Sequence, residues 1–187
     1  MMHNSRIGKL LVAHPRSHTG NAFSKSVIYI YQDDSVNGTV GVVLNKPSRT
    51  TISELTAQQG IMFAMNEPVY MGGPVNKNSL VMLHTDEWHS ANTASAGSSL
   101  RVSSDTHMLY KMADGIDVPA YWRLFIGTSN WQPGQLQAEI DGNGPYGPIG
   151  NWLTCEADES IMFNKDGEEL WHTALGMCSQ QTINQYF

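Results

Sequence analysis

The sequence predicts an α+β protein built on a largely antiparallel, curled sheet. Segments with strand character outnumber helical ones. They fall in neighbouring pairs joined by turn residues, and they do not alternate with helices as a parallel sheet would require. A chain of 187 residues suits one domain with a sizeable core. Residues 1–187 therefore read as a single domain, with no repeat or linker. Hydrophobic residues make up 41% and charged residues 15%, the balance of a globular chain and not of a disordered one.

Lys9 to Ala13 reads as a buried strand, and Val27 to Tyr31, β-branched and aromatic, as a second. Thr39 to Leu44 is a third, and the intervening Asn37-Gly38 is a hairpin signal, so the second and third strands should pair antiparallel. Thr51 with Glu54 three residues on forms a capping box for a short helix, stopped by Gly60. Pro68 to Met71 and Leu80 to Leu83 read as strands around a tight Gly72-Gly73-Pro74 turn. Leu100 to Val102 is a brief strand. Ser104 or Asp105 can cap a helix running to Ala113, with Met108, Leu109 and Met112 on one face and Gly115 as its stop.

Tyr121 to Ile126 reads as a core strand. Pro133 suits the first position of the next helix, because its missing N–H has no partner there anyway. Trp131 and Leu136 bracket that start as a hydrophobic staple, Leu136 and Ile140 share a face, and Gly142 closes the helix. A Gly/Pro-rich loop follows over Asp141–Gly150. Asp166 caps the last helix, where Trp171 and Leu175 form an apolar stripe.

Acidic residues exceed basic ones, 17 to 11, for a formal charge of −6. The cations are scattered and form no basic arm, which argues against direct nucleic-acid binding, since phosphate contacts supply most of that affinity. No apolar run approaches the about 20 residues of a membrane helix, and the N-terminus lacks a signal-peptide pattern. A cytoplasmic protein with no membrane partner is expected. Cys155 and Cys178 are too few and too far apart for a disulfide framework and read as buried thiols.

Several segments carry polar chemistry. In His84-Thr85-Asp86-Glu87-Trp88-His89 the imidazoles are five apart at a strand end and point to opposite sides, unlike zinc ligands on a helix. No metal and no cofactor is expected. Ser17 lies near His14 and His18 without a nucleophile-elbow context. Gly72-Gly73-Pro74 lacks phosphate-loop spacing. Gly127 to Leu136 brings a strand to a helix start, whose free N–H groups could hold a small acidic or polar ligand against Trp131, with Gln135 bonding back to the chain. Asn45 closes a strand. No catalytic residue is assigned; Asn45, Gly72, Gly73, His84, Trp131 and Gln135 form the candidate ligand-binding set, provided their separate segments converge.

The same stretches resemble a known family. Gly8 to Pro15 (GKLLVAHP), Phe23 to Tyr31, Gly38 to Pro47 (GTVGVVLNKP), Val69 to Val75 (VYMGGPV) and Gly127 to Glu139 (GTSNWQPGQLQAE) appear in order, and Trp152 and Phe163 to Leu175 follow. This pattern resembles the YqgE/AlgH family, an uncharacterised protein family also designated UPF0301 or DUF179, across residues 7–178. The chain departs from it in two places: Gln32-Asp33 stand where members carry a His, and the loop before Trp152 is longer. The resemblance implies a bent sheet closing toward a pseudo-barrel with flanking helices. It also implies a regulatory or interaction role, since some members are called transcriptional regulators without a DNA-binding motif. The partner, a protein or a small ligand, is unknown; the alternative is an enzyme or small-molecule binder using the candidate pocket.

Overall fold

The computed structural model describes residues 5–145 and 150–186. Residues 146–149 of the Gly/Pro loop expected over Asp141–Gly150 lie outside them. Strand β1 (Lys9–Ala13) is buried on both faces and pairs antiparallel with β2 (Val27–Asp34) and with β10 (Trp152–Glu156). The expected hairpin joins β2 to β3 (Gly38–Val43), with Ile28 opposite Val43 and Asp34 opposite Gly38 on either side of a register slip after Ile30. Its turn is organised by Asp34, whose carboxylate accepts the backbone N–H groups of Val36 and Asn37. The strand β9 (Trp122–Trp131) pairs with β3 on one edge and with β6 (Val75–Thr85) on the other. Beyond β6 come β8 (Leu100–Ser103) and β7 (Thr93–Ser95). A short pair, β4 (Pro47–Thr51) and β5 (Pro68–Met71), joins through β5, which runs parallel to β9.

The curled sheet follows from burial on alternate residues. Leu10, Val12, Val27, Tyr29, Val42, Leu83 and Phe125 face one core, closed by α4 (Glu159–Met162) and α5 (Gly167–Tyr186). Their strand neighbours Leu11, Ala13, Ile28, Ile30 and Val43 face another, under α3 (Gln135–Ile140) and Phe23. Met82, Leu124 and Val69 face a third, under α1 (Ile52–Ala57) and α2 (Thr106–Met112). Period-two strands thus bury both faces, and the result is a single α+β domain with a half-barrel sheet. No helix among the described residues is long and apolar enough to cross a membrane.

Local expectations hold at α1, where the Thr51–Glu54 capping box is complete, and at α2, capped by Asp105. Three others are corrected. The Gly72-Gly73-Pro74 segment is not a hairpin turn, because β5 and β6 lie on opposite edges of β9 and the segment crosses that strand's face. The crossing is so close that a Cβ on Gly72 would stand 2.3 Å from the Gly127 carbonyl oxygen, and one on Gly73 2.2 Å from that of Thr128. Glycine is what permits the two backbones to touch. Second, β9 does not stop at Ile126 but runs on to Trp131, so Pro133 is not the first residue of α3; left-handed Gly134 redirects the chain and the helix begins at Gln135. Third, Asp166 does not spend its carboxylate on capping α5. It accepts the Tyr70 hydroxyl at 3.0 Å and pairs with Arg123 at 3.0 Å.

Candidate functional site

A groove of about 610 Å³ opens where two strands are irregular. The register of β6 on β9 slips between Val75 and Leu80, which leaves residues 76–79 outside the ladder, with Asn76 at φ 52°. The β2–β3 register also slips between Ile30 and Gln32, at Tyr31. These irregularities bring Tyr31, Gln32, Asn76, Asn78, Ser79, Thr128 and Asn130 to one opening, beside the start of α2. Apart from Asp105, the polar side chains of the lining are amides and hydroxyls. The Thr128 hydroxyl donates to the Asn130 amide oxygen at 2.7 Å. Burial pushes the Tyr31 phenol up to about 12, so it stays neutral. Asp105 is the carboxylate at the rim. Burial raises its pKa, but hydrogen bonds from Ser90, Asn92 and Met108 outweigh that and hold it below the usual range. Such a lining can hold a neutral polar molecule or a peptide backbone by hydrogen bonds, with the Tyr31 ring as a wall.

The residues singled out from sequence are placed as follows. Asn45, 2% exposed, accepts the Val27 N–H and donates to the carbonyls of Lys25 and Gly167, tying the end of β3 to β2 and α5. Gly72 makes the strand crossing, and Gly73 also lines an apolar depression of about 270 Å³ with Phe23, Met71 and Pro74, flanked by Lys46 and Lys77. Trp131 and Gln135 meet at a side chain the sequence reading passed over, Glu139, which is 1% exposed. Its carboxylate accepts the indole N–H of Trp131 at 3.0 Å, that of Trp152 at 2.8 Å and the Gln135 amide at 3.0 Å. Gln135 also bonds back to the Gln132 N–H, as expected, but from the first helical position. The signal for Glu139 was its i, i+4 spacing from Gln135.

His84 stands apart from these groups, fully buried with Trp88 edge-on at 5.1 Å. Its Nδ1 faces the Thr85 carbonyl at 2.8 Å and must donate; its Nε2, 2.9 Å from the Ser103 hydroxyl, then accepts. His89 is exposed. Among the described residues no three His, Cys, Asp or Glu side chains gather as a metal cluster. The Ser17 hydroxyl donates to the backbone carbonyls of His14 and Asn151. Arg123, also passed over, is 5% exposed and stacks on the Tyr70 ring while its guanidinium serves Leu44, Lys165 and Asp166.

The neutral imidazole gives a pH prediction. Burial lowers the His84 pKa below the 6.5 of a free imidazole. The unfolded chain then binds a proton that the folded one refuses. Stability is full above pH 6.5 and falls as pH drops below it toward the depressed folded value. His18, also lowered mainly by burial, adds in the same sense. Urea unfolding between pH 7.5 and about 5 should show this slope, and His84→Gln should flatten it; an equal slope in the variant would assign the effect elsewhere.

The structure is that of a small α+β protein with a curled half-barrel sheet packed on both faces. Residues 10–182 match the family model described as AlgH-like, DUF179, and the chain belongs to this family. A UPF0301 protein of Methylococcus capsulatus is 30% identical over 176 residues, covering 92% of this chain and 91% of that one. One from Xanthomonas campestris is 34% identical over 174 residues, covering 90% and 86%. Among solved structures, the AlgH protein of Pseudomonas aeruginosa superposes with a TM-score of 0.75 at 26% identity, covering 95% of this chain and 92% of that one. Protein DIP2367 of Corynebacterium diphtheriae gives 0.68 at 26% identity, with 93% and 88% covered.

Proposed function

We propose that this chain is a non-enzymatic interaction protein of the cytoplasm, which acts indirectly in regulation by holding a partner segment or small molecule in the groove between β6, β2 and α2. The observation that carries this reading is the lining. The polar groups there are amides, hydroxyls and the Asp105 carboxylate, which hydrogen bonds hold below the usual carboxylate range; they suit hydrogen-bond recognition, while acid–base catalysis needs a group that titrates near the working pH. The net charge of −6 supports an indirect route over contact with nucleic acid. A thermal-shift panel of neutral sugars, nucleosides and blocked peptides tests it. Ligand at 100 times its Kd adds about 2.7 kcal/mol to the folded state. The bulky Ser79→Trp, at an exposed position in the groove, should remove the response. Turnover of any panel compound, or a response that Ser79→Trp leaves intact, would sink the reading.

A second reading uses part of the candidate set. The depression beside Gly73 combines an apolar floor with Lys46 and Lys77, and Lys46 also borders the cleft that holds Asn45. A small molecule with an apolar body and an anionic end suits that pair of surfaces. In the same panel, extended with short aromatic and acyl carboxylates, Lys77→Glu should abolish their shift and Ser79→Trp should not. Here His84, Trp131 and Gln135 act through the fold and not by touching the ligand.

A further inference from the structure

The two cysteines, 23 positions apart in sequence, share one buried cluster, with Cys155 4% exposed and Cys178 2% exposed. Cys155 sits on the edge strand β10, opposite Leu10 of β1. On α5 the stripe Leu170, Ala174 and Cys178, spaced four apart, packs into the same core. One turn past Cys178, Gln181 accepts the backbone N–H of Glu156, the residue after Cys155, at 2.9 Å. The helix face bearing Cys178 is therefore laid along β10 at the level of Cys155.

We propose that Cys155 and Cys178 are a redox pair, which a peroxide converts to an intramolecular disulfide that fastens the C-terminal helix to the edge strand of the sheet. The order of events follows from the surroundings. The Cys178 thiol and the charge of Lys9 favour the Cys155 thiolate against its burial, whereas Cys178 is held protonated. The Cys155 thiol gives its proton to solvent, the thiolate attacks a peroxide oxygen, the O–O bond breaks, and the hydroxide that leaves takes a proton back from solvent, so that a sulfenic acid and water result. The Cys178 sulfur then attacks that sulfenic sulfur; the S–S bond forms, hydroxide leaves and takes up the Cys178 proton as water. Two thiols and one hydrogen peroxide give one disulfide and two waters. This inference is independent of the groove.

Hydrogen peroxide on the reduced, full-length protein tests it, followed by alkylation in denaturant and non-reducing peptide mapping. The expected product is monomeric, lighter by two hydrogens, and carries a Cys155–Cys178 cross-link that dithiothreitol reverses. Its apparent Tm should exceed that of the reduced protein, because the cross-link restricts the unfolded chain. Cys178→Ser should trap the sulfenic acid on Cys155 as a dimedone adduct, and Cys155→Ser should show none on Cys178. Thiols that remain fully alkylatable, a cross-link between chains, or a sulfinic acid in place of the bridge would each overturn the proposal; the wild-type mapping decides even if a serine variant fails to fold.

Discussion

Gly73→Ala is expected to destabilise the fold by about 4 kcal/mol or more, at the far end of what single substitutions do. The added methyl would meet the Thr128 carbonyl oxygen at 2.2 Å, its carbon at 2.3 Å and the Ser129 hydroxyl at 2.4 Å. Two of these atoms are backbone of β9, a strand held on both edges, so they cannot give way. Gly127→Ala should behave alike, since its Cβ would lie 2.5 Å from the Gly73 carbonyl oxygen at a φ of 75°. Gly134→Ala is the control. It shares a positive φ, 79°, but has nothing within 4 Å, so it should cost only the left-handed backbone strain, about 1–2 kcal/mol. Equilibrium urea unfolding separates the cases. A Gly73→Ala midpoint no lower than that of Gly134→Ala would mean the crossing is not held as closely as described.

This crossing shows where the sequence could be read and where it could not. Features decided within a few residues were legible: the Thr51–Glu54 box, the Asp105 cap, the β2–β3 hairpin and the Trp171–Leu175 stripe. Each depends on local backbone needs that a short window contains. A Gly-Gly-Pro run between two strands looks the same whether the strands pair or straddle a third. Only the partner strand decides, and β9 lies some fifty residues away in sequence. Asp166 was read locally as a cap because its claimants, Tyr70 and Arg123, come from other strands. The groove was illegible for a related reason. Its walls are departures from strand pairing at residues 76–79 and at Tyr31, and a hydrophobic pattern records regular pairing, not its interruption. Of the candidate set, Trp131 and Gln135 did come together, because they flank one tight junction.

That junction gives the second large effect. Glu139→Ala should cost about 2–5 kcal/mol, from buried donors left unsatisfied at about 1–3 kcal/mol each. The cost comes from what remains. Two indole N–H groups, of Trp131 at 4% exposure and Trp152 at 3%, lose the oxygen they share, and neither can reach water without moving a ring. The rings stand edge-on at 6.0 Å, and Trp152 also packs His18 at 4.4 Å, so the disturbance reaches the loop after β1. Glu139→Gln keeps one oxygen for both indoles and should cost only about 1–2 kcal/mol, the worth of a charged over a neutral hydrogen bond. A double-mutant cycle identifies the cause. Trp152→Phe removes one donor, so in the Glu139→Ala background it should cost clearly less than in the wild type, with a coupling of about 1 kcal/mol or more. Near-equal losses for Glu139→Ala and Glu139→Gln, or a coupling close to zero, would show that the glutamate serves the fold by volume alone and that the tryptophan pair does not depend on its charge.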